Sequence, residues 1–369
     1  MVSKLSGSFS ASRTRRKIRV LIIDDSALVR EVLRQVLESD PDIEIVGTVP
    51  DAAFAMRRVE SLDPDVLTLD IEMPRMDGLS FLRELMRTHP MPVVMVSMHT
   101  RKGAAVTWKA LELGAVDFVA KPSSGVRDGL KELGEELIRK VKVAVSARMR
   151  NQPSIRRPSW LQKEHEPVIA AAGSLVAIGA STGGPVALGH IFPQLPANMP
   201  PIVIVQHMPK GFTAPFAKRL NSISNLTVGE ARDGEPLVRG HAYVAPADHH
   251  LEVERSSNGF VARISTGPRV RYQRPSVDVL FQSVAETVGD QAIGVLLTGM
   301  GDDGARGLLA LRRAGAHTLA QDEETSAVYG MPRAAVALGA AEFVVPLDQI
   351  PDKIVSLLLS RKPVTEKAS

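Results

Sequence analysis

Cysteine is absent from this sequence of 369 residues. Its absence excludes disulfide bonds, thiolate catalysis and cysteine-based metal sites, and it favours a reducing compartment. Aromatic residues are scarce, at 4% of the chain, so aliphatic side chains must fill the cores. No apolar run reaches the roughly 20 residues that a bilayer span requires, and the N-terminal stretch lacks the apolar centre of a signal peptide. These absences together predict a cytoplasmic protein without membrane insertion.

Most of the chain also lacks an excess of positive or of negative charge. The formal net charge is +4, but residues 1–17 alone carry five basic side chains and no acidic one. The remainder is therefore close to neutral, and the sequence predicts a disordered basic tail over residues 1–17. Because a tail of this kind explains the positive charge, the folded part needs no basic binding face, and we expect no nucleic acid among the partners.

Apolar segments that alternate with helical patterns divide the chain into two α/β units. Five such segments lie within residues 18–146 and predict a doubly wound parallel sheet. Residues 147–170 are rich in Pro, Arg, Gln and Ser without a period, as is typical of a linker. The alternation resumes over residues 171–362, where the short runs "AYVAP", "LEVER" and "VARIS" lie among turn residues. This half is predicted to hold a mostly parallel sheet with an antiparallel hairpin insert.

Polar side chains follow the predicted strands of the first unit at their carboxyl ends, where open parallel sheets place their sites. Carboxylates end the first and third strands, a hydroxyl ends the fourth and an ammonium ends the fifth: Asp24, Asp25, Asp70, Ser97 and Lys121. Three carboxylates at one edge repel each other and favour a hard divalent cation, and so few side-chain ligands suit Mg²⁺. The pattern predicts a magnesium site with a lysine that can hold an anionic group.

This arrangement resembles the receiver domain of two-component response regulators, which has a flavodoxin-like fold. The resemblance implies that Asp70 accepts a phosphoryl group and that Asp24, Asp25 and Asp70 hold Mg²⁺. It also implies switch roles for three further residues: Ser97, Phe118 and Lys121.

The second unit opens with "LVAIGASTGGPVAL", in which Ser181 occupies the centre of a G-x-S-x-G pattern. In that pattern a strand turns sharply into a helix and presents the serine hydroxyl at the sheet edge. A phosphate-binding loop is disfavoured because no lysine follows the glycines and their spacing does not match a dinucleotide fingerprint. An ordinary strand–helix turn is the remaining alternative.

A nucleophilic serine needs a base and a carboxylate that orients the base. His207 directly follows the apolar run "PIVIVQ", and the run "AIGVLLTGM" leads to Asp302 and Asp303. Three predicted strands thus end in serine, histidine and aspartate, and by position either aspartate could serve. The order along the chain differs from that of the α/β-hydrolases.

Four segments of this half, "GASTGGP", "QHMP", "RPSVD" and "TGMGDDGARG", resemble the catalytic domain of the chemotaxis protein-glutamate methylesterases, the CheB family. By position, the resemblance implies Ser181 as nucleophile, His207 as base and Asp303 as its partner. It places Thr182 where a hydroxyl can bond the histidine, and the backbone N–H of Met300 where it can support an oxyanion.

The resemblance further implies the function. The chain would hydrolyse glutamate 5-O-methyl esters on chemoreceptors with release of methanol, and deamidate receptor glutamines to glutamate, under control of receiver phosphorylation. Its partners would be methylated chemoreceptor cytoplasmic domains and a chemotaxis histidine kinase, Mg²⁺ would serve the receiver alone, and the esterase step would need no cofactor. Three other classes of protein are less favoured alternatives: a DNA-binding response regulator, a nucleotide-binding oxidoreductase and a receptor-docking protein with an inactive site.

Overall fold

The computed structural model describes residues 16–73, 77–98, 101–121, 130–147 and 173–360. The predicted basic tail and the predicted linker therefore lie almost entirely outside the described residues. Within the described residues, no helix is both long and apolar enough to cross a membrane.

The first sheet contains five parallel strands in the spatial order β2-β1-β3-β4-β5. The strands are β1 (Ile18–Ile23), β2 (Ile43–Val49), β3 (Val66–Asp70), β4 (Val93–Met98) and β5 (Asp117–Lys121). The helices that cover the sheet are α1 (Ala27–Glu38), α2 (Ala52–Leu62), α3 (Gly78–Thr88), α4 (Arg101–Glu112) and α5 (Leu130–Ser146). The central strand β3 is buried throughout, as an apolar strand covered on both faces should be. The predicted doubly wound fold is confirmed.

The second sheet contains seven strands in the order β14-β13-β12-β6-β7-β9-β8, and all of its pairings are parallel. Its strands are β6 (Leu175–Ala180), β7 (Ile202–Gln206), β8 (Thr227–Glu230), β9 (His241–Val244), β12 (Ala292–Leu296), β13 (His317–Gln321) and β14 (Phe343–Val345). The helices are α6 (Gly184–Ile191), α7 (Thr213–Ile223), α8 (Val277–Thr287), α9 (Ala305–Arg313), α10 (Met331–Ala337) and α11 (Ile350–Leu359). A separate antiparallel hairpin joins β10 (His250–Ser256) to β11 (Gly259–Ser265).

The assignment of the run "AYVAP" to the antiparallel insert was wrong. This run forms β9, which lies between β7 and β8 in the main parallel sheet. Its side chains Ala242, Tyr243 and Val244 are all buried, as in a parallel strand that is covered on both faces. The hairpin insert itself is confirmed, and it consists of "LEVER" and "VARIS" alone.

The two domains share an apolar interface built around aromatic rings. Helix α4 of the first domain packs against α6 and α7 of the second. The Phe118 and Phe212 ring centroids lie 4.6 Å apart, and those of Trp108 and Phe216 lie 5.0 Å apart. All four side chains are buried, so the hydrophobic core continues from one domain into the other.

Candidate active site

Ser181 lies directly after β6, at the carboxyl edge of the second sheet, and is partly exposed. Its backbone N–H donates to the Thr298 carbonyl over 3.0 Å, and its own carbonyl accepts from the Gly184 N–H over 2.8 Å. Gly183 caps α6 with a φ of 79°, a left-handed conformation that favours glycine. The strand therefore turns into the helix within three residues, and the serine hydroxyl stands at the sheet edge.

Gln206 and Gly299 fix the surroundings of this serine. The buried Gln206 amide donates to the carbonyl oxygens of Ser181, over 2.9 Å, and of His207, over 3.1 Å. A Cβ on Gly299 would lie 2.7 Å from the Ser181 Cβ and 2.2 Å from the Met331 sulfur, closer than van der Waals contact permits. The backbone after β12 thus approaches Ser181 only because residue 299 has no side chain.

We expect Gly299→Ala to lower kcat about 100-fold, because a displacement of the nucleophile by about 1 Å has a cost of that order. Two measurements test this expectation: the rate of methanol release and the melting temperature of the variant. Gly229→Ala is the matched control, since a Cβ there meets nothing within 4 Å. Equal kcat in the two variants would show that the close approach to Ser181 has no catalytic consequence.

His207 and Asp303 form a hydrogen-bonded pair beside Ser181. The distance from Nε2 of His207 to Oδ2 of Asp303 is 2.8 Å, and the His207 N–H donates to the carbonyl of Ala180 over 3.1 Å. A carboxylate only accepts hydrogen bonds, so Nε2 carries the proton. Nδ1 is buried without a hydrogen-bond partner among the described residues, which leaves it as the nitrogen that can act as a base. In this structure it is not yet bonded to the Ser181 hydroxyl.

Asp303, rather than Asp302, is the carboxylate that faces the histidine. Its side chain is 3% exposed and accepts hydrogen bonds at both oxygens. Burial by itself would raise the pKa of Asp303, but the bonds from His207, Asp278 and Ser276 outweigh burial and lower it. Asp302 is exposed and pairs with Arg271. Position in the sequence could not separate the two aspartates, because adjacent residues of a turn point in different directions.

The resemblance associated Thr182 with the histidine and the backbone N–H of Met300 with the oxyanion. The Thr182 hydroxyl does not bond the histidine here; it donates to Oδ2 of Asp117, a residue of the first domain, over 2.5 Å. Met300 follows β12, and its side chain is exposed. Its backbone N–H donates no hydrogen bond within the part of the chain that the structure describes, so it is available to an oxyanion.

The three carboxylates of the first domain meet at the carboxyl edge of its sheet. One oxygen from each of Asp24, Asp25 and Asp70 lies within 4.8 Å of the others, and the Lys121 ammonium is 2.8 Å from both Asp24 and Asp70. Burial raises the pKa of Asp70, and Lys121 opposes this only in part. Burial also works against the charge of Lys121, but the two carboxylates outweigh it and raise its pKa. This set of oxygen donors suits Mg²⁺.

Of two further residues predicted for the receiver switch, the structure describes the side chain of one. Phe118 is buried in the interface between the domains, where it packs on Phe212 with the Lys140 ammonium 5.1 Å from its ring centroid. Ser97 lies in β4 near the same edge as Lys121, and its side chain is outside the described residues.

The first domain has a five-stranded sheet with an acidic cluster, and it is joined to a second parallel sheet. In the second sheet, serine, histidine and aspartate lie at neighbouring strand ends. This combination is that of a response regulator whose output domain is a hydrolase. Residues 20–130 match the family model of the response regulator receiver domain, and residues 176–354 match that of the CheB methylesterase. The chain belongs to the CheB methylesterase family.

Two relatives show how far the similarity extends. The protein-glutamate methylesterase/protein-glutamine glutaminase of Pectobacterium atrosepticum is 49% identical over 92% of this chain and 97% of its own length. Its counterpart from Chromohalobacter salexigens is 50% identical over 92% and 95%. The crystal structure of the Thermotoga maritima CheB methylesterase catalytic domain is 42% identical with a TM-score of 0.50, and covers 51% of this chain and 100% of that domain.

Proposed function

We propose that this chain carries out the two reactions for which its relatives are named, methyl ester hydrolysis at protein glutamates and deamidation of protein glutamines, on the cytoplasmic domains of chemoreceptors. The observation that carries the proposal is the His207–Asp303 pair at the sheet edge beside Ser181. Such a pair can activate a serine hydroxyl and then stabilise the imidazolium that forms. We also propose that the protein is located in the cytoplasm, as its sequence predicts.

In the esterase reaction, Nδ1 of His207 takes the Ser181 proton as Oγ attacks the side-chain carbonyl of the methylated glutamate. The backbone N–H of Met300 supports the oxyanion of the tetrahedral intermediate, a contribution of about 3–4 kcal/mol for one donor in comparable sites. His207 returns the proton to the leaving methanol. Water then attacks the acyl-serine by the same route and releases glutamate. Hydrogen bonds that are open before substrate binds commonly close in the substrate complex.

Deamidation follows the same course on a glutamine side chain. The attacked carbonyl is then an amide, and the proton from His207 goes to the nitrogen so that ammonia leaves. In both reactions water then hydrolyses the same acyl-serine, and the product is a glutamate carboxylate. Asp303 holds the imidazole in the tautomer that has its lone pair on Nδ1.

The direct test is methanol release from methylated receptor, measured with and without a phosphodonor. We expect release in both conditions and a higher rate with the phosphodonor. No methanol under either condition would remove the esterase function. If the protein were instead a nucleotide-binding oxidoreductase, titration with the nucleotide cofactor would change the fluorescence of that cofactor.

For the first domain, spanning residues 18–146, we propose that Asp70 accepts a phosphoryl group from a chemotaxis histidine kinase. Asp24, Asp25 and Asp70 would hold Mg²⁺, which offsets the charge of the incoming phosphoryl group when it is bound. Lys121, already 2.8 Å from Asp70, can pair with the phosphoryl oxygens. Ser97 and Phe118 would respond to the modification.

The same domain contacts the second domain beside Ser181, and we propose that it covers the catalytic face of that domain, residues 171–362, and so restrains the enzyme. Asp117 accepts from Thr182, the neighbour of Ser181, and Phe118 packs on Phe212. Domains of one chain commonly move relative to one another, and the hydrogen bond from Thr182 to Asp117 adds a polar contact to the aromatic ones of this interface. Phosphorylation of Asp70 would then change the face to which Phe118 belongs and open access to the serine.

Removal of residues 1–147 is expected to raise the basal rate of methanol release. The rate should rise roughly tenfold for each 1.4 kcal/mol by which the covered arrangement of the two domains is more stable than the open one. The fragment should also lose its response to a phosphodonor. A full-length Arg219→Ala variant, which removes the exposed ion pair with Glu112 at the rim of the interface, is the control and should change little. Unchanged or lower activity in the fragment would contradict the restraint.

A further inference from the structure

The Asp303 carboxylate accepts four hydrogen bonds, two at each oxygen. Oδ2 accepts from His207 Nε2 and from the Val277 N–H, each over 2.8 Å. Oδ1 accepts from the Ser276 hydroxyl over 2.7 Å and from the Asp278 N–H over 3.0 Å. Three of the four donors come from the first residues of α8, so the carboxylate is held by a helix that carries no proposed catalytic residue.

Ser276 has an unusual place among these donors. It is the N-cap residue of α8 and is fully buried, yet its hydroxyl makes no cap bond to its own helix. An N-cap serine ordinarily accepts from a backbone N–H of the first turn. Here the Asp303 carboxylate accepts from the first-turn N–H groups instead, and the serine hydroxyl becomes a donor to that carboxylate. Among the described residues it is the one side-chain hydroxyl that donates a hydrogen bond to Asp303.

His250 holds the backbone of Ser276 from the other side. The Ser276 N–H donates to Nδ1 of His250 over 3.2 Å, and Nε2 of His250 lies 2.9 Å from the Pro268 carbonyl. A backbone N–H only donates and a carbonyl only accepts, so both ring nitrogens are committed. His250 is 3% exposed. A continuous hydrogen-bonded chain therefore runs from the hairpin insert through Ser276 and Asp303 to His207.

We infer that Ser276 is a positioning residue of the active site: its hydroxyl fixes the Asp303 carboxylate, and through it the ring of His207, so that Nδ1 faces Ser181. The inference rests on the function proposed above. Without the hydroxyl, Oδ1 would keep the Asp278 N–H as its one donor, and the carboxylate would be held less firmly against rotation about its last bond. With the hydroxyl in place, each oxygen has two donors, and the carboxylate presented to the histidine has one preferred orientation.

The test is Ser276→Ala in the full-length protein, assayed for methanol release and by proton NMR. We expect kcat to fall roughly 10- to 100-fold, the size of a lost hydrogen bond to a charged group, with KM within about twofold of wild type. The downfield signal of the His207 Nε2 proton should shift or broaden. Ser276→Thr keeps a hydroxyl donor and should recover most of kcat.

Ser283→Ala is the matched control, because Ser283 lies on the same helix and, within the described part of the chain, its hydroxyl bonds only to backbone groups, the Leu280 carbonyl and the Val253 N–H. It should alter the melting temperature but neither kcat nor the His207 signal. The inference is overturned by an unchanged kcat in Ser276→Ala, by an equal loss in Ser283→Ala, or by an unshifted proton signal. Failure of the proposed function looks different: wild type itself would release no methanol, while the NMR comparison could still be made.

Discussion

Ser181→Ala is expected to reduce methanol release from methylated receptor about 10⁶-fold, the loss seen when the nucleophile of a serine hydrolase is removed. Alanine has no oxygen to attack the ester, so the acyl-enzyme cannot form, and His207 and Asp303 have no proton to move. The residual rate would come only from substrate binding and the oxyanion donor. Single-turnover release of methanol, with and without a phosphodonor, measures the effect.

The fold should survive this change, because Ser181 is partly exposed and its side chain makes no hydrogen bond within the described residues. An unchanged melting temperature and unchanged phosphoryl uptake at the first domain are the controls. A serine-directed covalent label that modifies wild type should fail to modify Ser181→Ala. Methanol release from the variant within tenfold of wild type would show that another group is the nucleophile.

Asp70→Asn is expected to abolish phosphoryl uptake and, with it, the stimulation of methanol release by a phosphodonor. An amide is not a nucleophile towards phosphorus under these conditions, and the change also removes one of the three carboxylates that would hold Mg²⁺. Basal activity should remain, because Asp70 lies in the first domain, away from Ser181. Incorporation of labelled phosphate and the ratio of stimulated to basal rate measure the two effects.

Asp77→Asn provides the matched control for that experiment. Asp77 caps α3 by accepting from the Ser80 N–H over 2.7 Å, and asparagine is nearly as good an N-cap. The control should take up phosphate as wild type does. Persistent uptake in Asp70→Asn would place the acceptor at another carboxylate, and loss of uptake in both variants would point to general damage of the domain.

Most of the site follows from the sequence because parallel strands end at a common edge. Once Ser181 and His207 each follow a buried strand, the pairing of β6 with β7 brings them together without any knowledge of the intervening 25 residues. The same reasoning gathers Asp24 and Asp70. It depends only on strand direction, which apolar runs separated by helices specify well.

Other features escape such reasoning because they depend on turns and on contacts between distant segments. The choice between Asp302 and Asp303 depends on how the turn after β12 directs each side chain. Ser276 could have been suspected as an N-cap, since a serine precedes the helical pattern of "VDVLFQSV". No local pattern reveals that its hydroxyl bonds to a carboxylate 27 residues away.

The contact between Thr182 and Asp117 is a second case of this kind. Their hydroxyl and carboxylate are separated by 65 residues of sequence and belong to different domains. The sequence assigns Thr182 to the histidine by resemblance alone, whereas in the structure its hydroxyl donates to Asp117 of the first domain. A prediction made from one domain cannot anticipate a partner supplied by the other.

The aromatic interface around Phe118 and Phe212 also links two equilibria. If a receptor reaches Ser181 only when that interface is open, receptor binding and the phosphorylated conformation favour the same state. Thermodynamic linkage then makes the coupling reciprocal. If phosphorylation raises the receptor affinity by a given factor, bound receptor shifts the receiver equilibrium towards the active conformation by the same factor. A methylated receptor would thus act as an effector of the receiver as well as a substrate of the enzyme.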